Sequence, residues 1–278
     1  MKLKKFLATA LATIATFATF GFASCGDETL VVYTEAGFAP FEYVSNGKIV
    51  GVDVDIMNKV GEKLGKKVVF ENVDFNTIVD AVAEGKLTNV GAAGISVTPE
   101  RQEKVAFSTE YYTAALYVIY EADEASSFEN VTTDNATLGV YWENLSGLNI
   151  AVQNGTTADL FLSDELATGG ILDEDVTGTR KTGFSQLSTA VADIGINCNA
   201  LIIDELPAKS LIAGNPNLKC APLYYQGEGE DLDEPAIDTY AICVTKGQDE
   251  LLNAINQVLA ELGESGIQAL VNKHLGLE

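Results

Sequence analysis

Val90-Gly91-Ala92-Ala93-Gly94-Ile95-Ser96-Val97-Thr98-Pro99-Glu100-Arg101 begins as a small, mostly apolar run and turns polar at Ser96. A short apolar run that ends in a turn reads as a buried strand. The turn carries one arginine, Arg101. Backbone groups, a hydroxyl and a guanidinium therefore converge where a strand ends. A guanidinium offers a planar fork of donors that fits both oxygens of a carboxylate. The stretch reads as a place for one small anionic group. On spacing alone, a helix-surface arginine in a salt bridge accounts for Arg101 equally well.

The residues before this stretch set the fold class. Residues 30–33 (Leu-Val-Val-Tyr) read as a buried strand. Residues 53–64 read as a helix, with Ile56, Met57, Val60 and Leu64 on one face and Gly65 as its stop. Residues 67–70 form the next strand, and residues 74–84 a second helix closed by Gly85. Strand, helix, strand, helix, strand implies an α/β fold with a largely parallel sheet covered on both faces. The pattern then returns. Residues 149–153 are a strand, a helix begins near Thr156, and residues 200–203 are a buried strand ending in Asp204. Phe184, Leu187 and Val191 repeat the spacing of Phe75, Ile78 and Val82. Two α/β lobes fit this better than one continuous sheet.

Two β-prone runs, residues 114–120 and 239–244, are placed to cross between the lobes as a two-strand hinge. The acidic stretches 121–138 and 227–233 read as loops, and residues 251–262 and 267–271 as two C-terminal helices. The expected division is residues 30–113 plus 239–278 in lobe 1 and residues 114–238 in lobe 2. A cleft at the carboxyl ends of such strands is where α/β proteins bind ligands.

The N-terminus reads as a targeting segment. Lys2, Lys4 and Lys5 precede an apolar run, then Ala23, Ser24 and Cys25. Residues 1–24 form an export signal, and residues 25–29 a lipidated N-terminus and linker, with Cys25 as the lipidation site. An uncleaved membrane anchor is the alternative. Losing residues 1–24 leaves 14 of 17 basic residues against 40 acidic ones. So acidic a surface repels phosphates and excludes a nucleic-acid partner. Cys198, Cys220 and Cys243 then remain, an odd number. Cys198 and Cys220 form a disulfide or stay as buried thiols. One histidine and scattered cysteines argue against a zinc site, and neither metal nor cofactor is expected.

Four blocks carry a family resemblance: Thr34 through Glu42, Gly47 through Ile56, Gly94 through Arg101, and Phe107 through Tyr112. In this order the chain resembles the bacterial solute-binding proteins of family 3, from about residue 30 to its end. Residues 126–141 look like an insertion. The resemblance implies a two-lobed periplasmic-binding-protein fold of type II that closes on its ligand. It places Arg101 on the ligand α-carboxylate, and Ser96 and the Gly94 carbonyl near the α-ammonium. Gly155-Thr156-Thr157 resembles the turn whose amides meet the carboxylate, as a helix N-terminus can. Asp204 resembles the acid that pairs with the ammonium. Phe38 and Phe75 match aromatic positions that flank the ligand side chain, and Glu35 and Gln153 positions that help select it. Taken singly, Phe38 and Phe75 read as core, Asp204 as a helix N-cap, and Glu35 as a solvated acid.

The implied function is an exported, lipid-anchored, monomeric receptor on the outer membrane face or in the periplasm. It delivers a polar amino acid to an ABC permease. Glu35 and Gln153 between aromatic walls favour a cystine- or glutamine-like ligand, with a basic one still open. The rival is a cleft enzyme of the same fold, such as a cyclohexadienyl dehydratase, with Glu35 as its acid. No nucleophile–base pair is visible, and His274 is far along the chain from these motifs.

Overall fold

The computed structural model describes residues 29–129, 131–132, 138–227 and 233–277. The export signal, Cys25 and most of the second acidic loop lie outside the described residues. The principal strands are β1 (Thr29–Thr34), β2 (Lys67–Asn72), β3 (Val90–Ser96), β4 (Tyr112–Glu121), β5 (Asn149–Gln153), β6 (Arg180–Phe184), β7 (Ala200–Asp204), β8 (Leu218–Tyr225) and β9 (Ile237–Val244). The principal helices are α1 (Val52–Leu64), α2 (Phe75–Glu84), α3 (Pro99–Lys104), α4 (Thr157–Leu166), α5 (Leu187–Ala192), α6 (Glu205–Leu211) and α7 (Asp249–Leu275).

The strands run in the order β6-β5-β7-β4-β9-β3-β1-β2. β2, β1 and β3 are parallel, and so are β6, β5 and β7. These are the two α/β units. β4 and β9 join them by changing partners along their length. Tyr112 to Ala115 of β4 pair with β9, whereas Leu116 to Tyr120 pair with β7. β9 pairs with β4 up to Tyr240 and with β3 from Tyr240 onward. A strand that belongs to one unit at one end and the other at its far end is a hinge, and there are two of them side by side.

Local sequence explains the elements. α1 buries Val52, Ile56, Met57 and Val60 completely, the stripe that a 3.6-residue period produces. Gly65 ends it in the left-handed conformation. Gly51, at φ 143, precedes α1 where a β-carbon would strike the Phe41 carbonyl, so only glycine fits. β3 and β7 are buried along their whole lengths, as strands covered on both faces are. Trp142, Leu145 and Ile150 centre a separate cluster in the second unit.

Several expectations are corrected. The stretch 121–138 is not all loop, because Ala125–Phe128 is a short helix. Phe128 anchors it by stacking on Tyr120, with ring centres 4.5 Å apart. The two expected C-terminal helices are present and meet at Gly263, whose backbone is not helical (φ 57, ψ −178). The 109-residue repeat is imperfect: Phe75 opens α2, but Phe184 ends β6 and α5 starts only at Leu187. Cys198, Cys220 and Cys243 are free thiols. His274 packs structurally, with Nε2 3.0 Å from Asp55 Oδ2 and Nδ1 3.2 Å from the Tyr43 hydroxyl.

Candidate ligand-binding cleft

Where the strands of both units end, they line a narrow cavity of about 20 Å³. Glu35, Phe38, Phe75, Gly94 and Ser96 line it from the first unit, and Gln153, Thr156, Thr157 and Asp204 from the second. All nine are sequence-derived candidates. The tenth, Arg101, does not line the cavity but lies behind its wall, bonded to the backbone of the lining residue Ser96. α3 points it inward: Pro99 starts the helix, and the Thr98 hydroxyl caps it by accepting from Arg101 N at 3.3 Å. Arg101 is 8% exposed, so it is not a surface arginine. Its Nη1 donates to Ser96 O and its Nη2 to Gly155 O, both at 2.7 Å. The second bond crosses the cleft. Its guanidinium carbon lies 5.6 Å from the Phe75 ring centre. A guanidinium has five N–H donors, so two bonds to carbonyls leave donors for an anion. Burial lowers its pKa, with Asp238 opposing, and the group stays charged.

Opposite Arg101 is the N-terminus of α4. The Thr156 hydroxyl accepts from Asp159 N at 3.3 Å and donates to Gln153 O at 2.8 Å. The first amides of a helix have no acceptor within it, so this end attracts negative charge. Asp204 ends β7 and precedes α6, yet its side chain makes no capping bond. Asp204 thus stands at the N-cap position, as it reads when taken singly, but leaves its carboxyl free of the helix amides. Asp204 Oδ1 is buried without a hydrogen-bond partner. Burial pushes its carboxyl up to about 8, Asp238 adds to this, and the Tyr240 hydroxyl opposes it.

Phe38 serves both core and cleft, packing on Phe41 and Tyr240 at 6.1 and 6.0 Å. Phe75 is only half-buried. Glu35 is 8% exposed, not solvated. Burial raises its pKa, partly offset by Gln153 and the Gly37 amide. Gln153 donates to Ser185 O at 3.2 Å.

Three acids escaped the sequence reading of the site. Glu42 lines the cavity and is fully buried. Neither of its oxygens meets an N–H or hydroxyl donor. Burial, then the neighbouring Asp53, holds its carboxyl well above the usual range. Asp53 beside it acts in the same direction as burial, since adjacent buried carboxyls disfavour each other's charge. Asp53 accepts from Gly94 N at 3.0 Å and the Tyr111 hydroxyl at 2.5 Å. Burial pushes it to about 6 while those bonds hold it down. Asp238 opens β9 and lines the cavity between the two units. A sequence hint existed for each: Glu42 and Asp53 lie inside the resemblance blocks, and Asp238 directly precedes the second crossing run.

Two α/β units on a double-strand hinge, with carboxyls in the wall of one small cavity and a buried arginine behind it, define a ligand-closing binding protein. The chain belongs to the bacterial extracellular solute-binding proteins, family 3, whose profile matches residues 30–277. It is 25% identical over 271 residues to an arginine-binding extracellular protein, ArtP, of Bacillus subtilis, covering 95% of this chain and 94% of that one. The fold is that of an amino-acid ABC transporter substrate-binding protein of Streptococcus pneumoniae, AbpA, solved with L-arginine. There the TM-score is 0.74 and the identity 24%, over 90% of this chain and 95% of that one. An ancestral arginine-binding protein bound to glutamine superposes with a TM-score of 0.69 at 29% identity, covering 90% and 98%.

Proposed function

We propose that the protein is an extracytoplasmic receptor that closes on one free amino acid with a basic side chain and presents it to an ABC permease. Arg101 and the start of α4 would hold the α-carboxylate, and Asp204, Gly94 O and Ser96 the α-ammonium. Phe38 and Phe75 would flank the side chain, with Glu35 and Gln153 at its end. The observation that carries the basic side chain is Glu35, an acid in the cavity wall with no ion pair among the described residues. A neutral or sulfur-containing side chain, which the sequence alone favours, leaves Glu35 without an opposite charge. A guanidinium or ammonium neutralises it, and buried charges are stable only when paired.

The arginine-binding relatives support this reading, and the glutamine-bound ancestral protein makes glutamine the main competitor. The partner switches of β4 and β9 support lobe boundaries at 113/114 and 238/239. Anchoring through Cys25 rests on the sequence of residues 1–25. A receptor is preferred to a dehydratase because the relatives are binding proteins and His274 is engaged away from the cavity.

The test is calorimetric titration of residues 26–278, stripped of carried-over ligand by unfolding and refolding, with a panel of amino acids. Arginine or another basic amino acid should bind tightest. Glu35→Gln should weaken it by roughly ten- to a hundredfold, the range for one charge-assisted hydrogen bond, and glutamine far less. Tightest binding by glutamine or cystine, unmoved by Glu35→Gln, would defeat the basic-ligand reading. Silence across the panel would defeat the amino-acid reading itself.

A further inference from the structure

Asp238 sits in the hinge ladder, its backbone fixed opposite Ala114 of β4. It is 7% exposed. Its Oδ1 accepts from Thr239 N at 2.7 Å. Its Oδ2 accepts from the Ser96 hydroxyl at 2.5 Å and also from the Thr157 hydroxyl. Ser96 ends β3 in the first unit, and Thr157 begins α4 in the second. The two hydroxyls lie 3.3 Å apart across the cleft.

We propose that Asp238 is a positioning residue for the ammonium end of the site: by taking the protons of Ser96 and Thr157 it turns both oxygens into acceptors for the ligand, and it ties the lobes together in doing so. This rests on the reading of the cleft as an amino-acid site. A hydroxyl has one proton and two lone pairs. Once the proton is committed to Asp238, the oxygen can only accept elsewhere. A carboxylate has no hydrogen to offer such an oxygen, whereas an ammonium has three. The cavity is thereby polarised, with donors at Arg101 and the first backbone amides of α4, and acceptors at Asp204 and the Ser96 and Thr157 hydroxyls. Burial raises the Asp238 carboxyl, while its three hydrogen bonds and Arg101 favour its charged form. The same geometry couples binding to closure. Ser96 and Thr157 belong to different lobes, so any opening rotation breaks at least one bond to Asp238.

Asp238→Asn keeps the shape but, with its remaining oxygen held by Thr239 N, puts an amide donor in place of Oδ2 and forces both hydroxyls to reverse. Calorimetry would compare L-arginine with its deaminated analogue 5-guanidinopentanoate, and L-glutamine with 4-carbamoylbutanoate. The expected result is a preference for the amino form that shrinks by about tenfold or more in the variant, the worth of one charge-assisted hydrogen bond. The deaminated acids should change little. A residue that only braces the hinge would weaken both members of a pair alike, so an unchanged ratio overturns the proposal. If Asp238→Asn does not fold, Thr157→Val removes one of the two hydroxyls, and the same ratio decides. A wild-type protein that ignores all four compounds removes the amino-acid reading, and this proposal with it. A wild-type protein that binds, with an unmoved ratio in the variant, removes this proposal alone.

Discussion

Arg101 is placed to do what no neighbour can. It is buried, it is held by two carbonyls, and no carboxylate lies within salt-bridge distance of it among the described residues. An anion from outside is the natural complement. Removing one partner of a buried, hydrogen-bonded charge pair costs roughly 2–5 kcal/mol. Arg101→Ala is therefore expected to weaken amino-acid binding by about 30-fold to several thousandfold, taking 1.4 kcal/mol per tenfold. Arg101→Lys keeps the charge but loses the fork and should recover only part of the loss. Calorimetry on both variants checks this, and near-native affinity in Arg101→Ala would exclude it as the carboxylate anchor. In the sequence Arg101 was open between an anion site and a surface salt bridge, and its burial speaks against the second. Asp238 was not legible there. It is one acid in an acidic chain, and its hydroxyl partners lie 142 and 81 residues away. Only folding brings them together. Glu42 was hidden for a related reason, since a buried acid and a solvated one look the same in sequence.

At the scale of elements, the strands and helices around the cleft followed from apolar periodicity, and their ends from glycine and capping residues. Gly65 and Gly85 stop α1 and α2 in the left-handed conformation, as read from the sequence. The misses are short elements stabilised from outside. Ala125–Phe128 is too short to be a helix by itself and exists because Phe128 finds Tyr120. α4 is the element on which the site most depends, since its first turn faces the cavity, and Thr156 is its cap. Replacing a capping threonine with alanine costs about 0.5–2 kcal/mol. Thr156→Ala should lower stability by that amount in urea titration. It should also weaken ligand binding, because the amides of the first turn lose their fixed direction. A variant that loses stability but binds as before would separate the cap from the site.

Taken whole, the molecule encloses acids that its fold makes harder to ionise. Asp204 is raised to about 8 and Asp53 to about 6, and Glu42 stands well above its usual range, in each case chiefly through burial. In the unfolded chain, carboxyls release their protons near pH 4. Between about pH 4 and pH 8 the folded state therefore binds more protons than the unfolded one, and its stability falls as pH rises. These groups contribute most on the acid side, and that contribution is lost as pH passes through about 6 and then about 8. A bound ammonium reverses the sign at Asp204, because a neighbouring cation favours the ionised carboxylate. Binding should then release protons near neutrality and tighten as pH rises from 6 toward 8. A ligand at a hundred times its dissociation constant adds about 2.7 kcal/mol, and each kcal/mol moves the melting point by roughly 2–4 °C for a chain of this size. Scanning calorimetry with a fixed excess of L-arginine should show a shift on the order of 5–10 °C, larger at pH 8 than at pH 6. Without ligand, the melting point should be lower at pH 8 than at pH 6. An equal ligand-induced shift at both values would mean that Asp204 does not change protonation on binding, and that the ammonium is held elsewhere in the cleft.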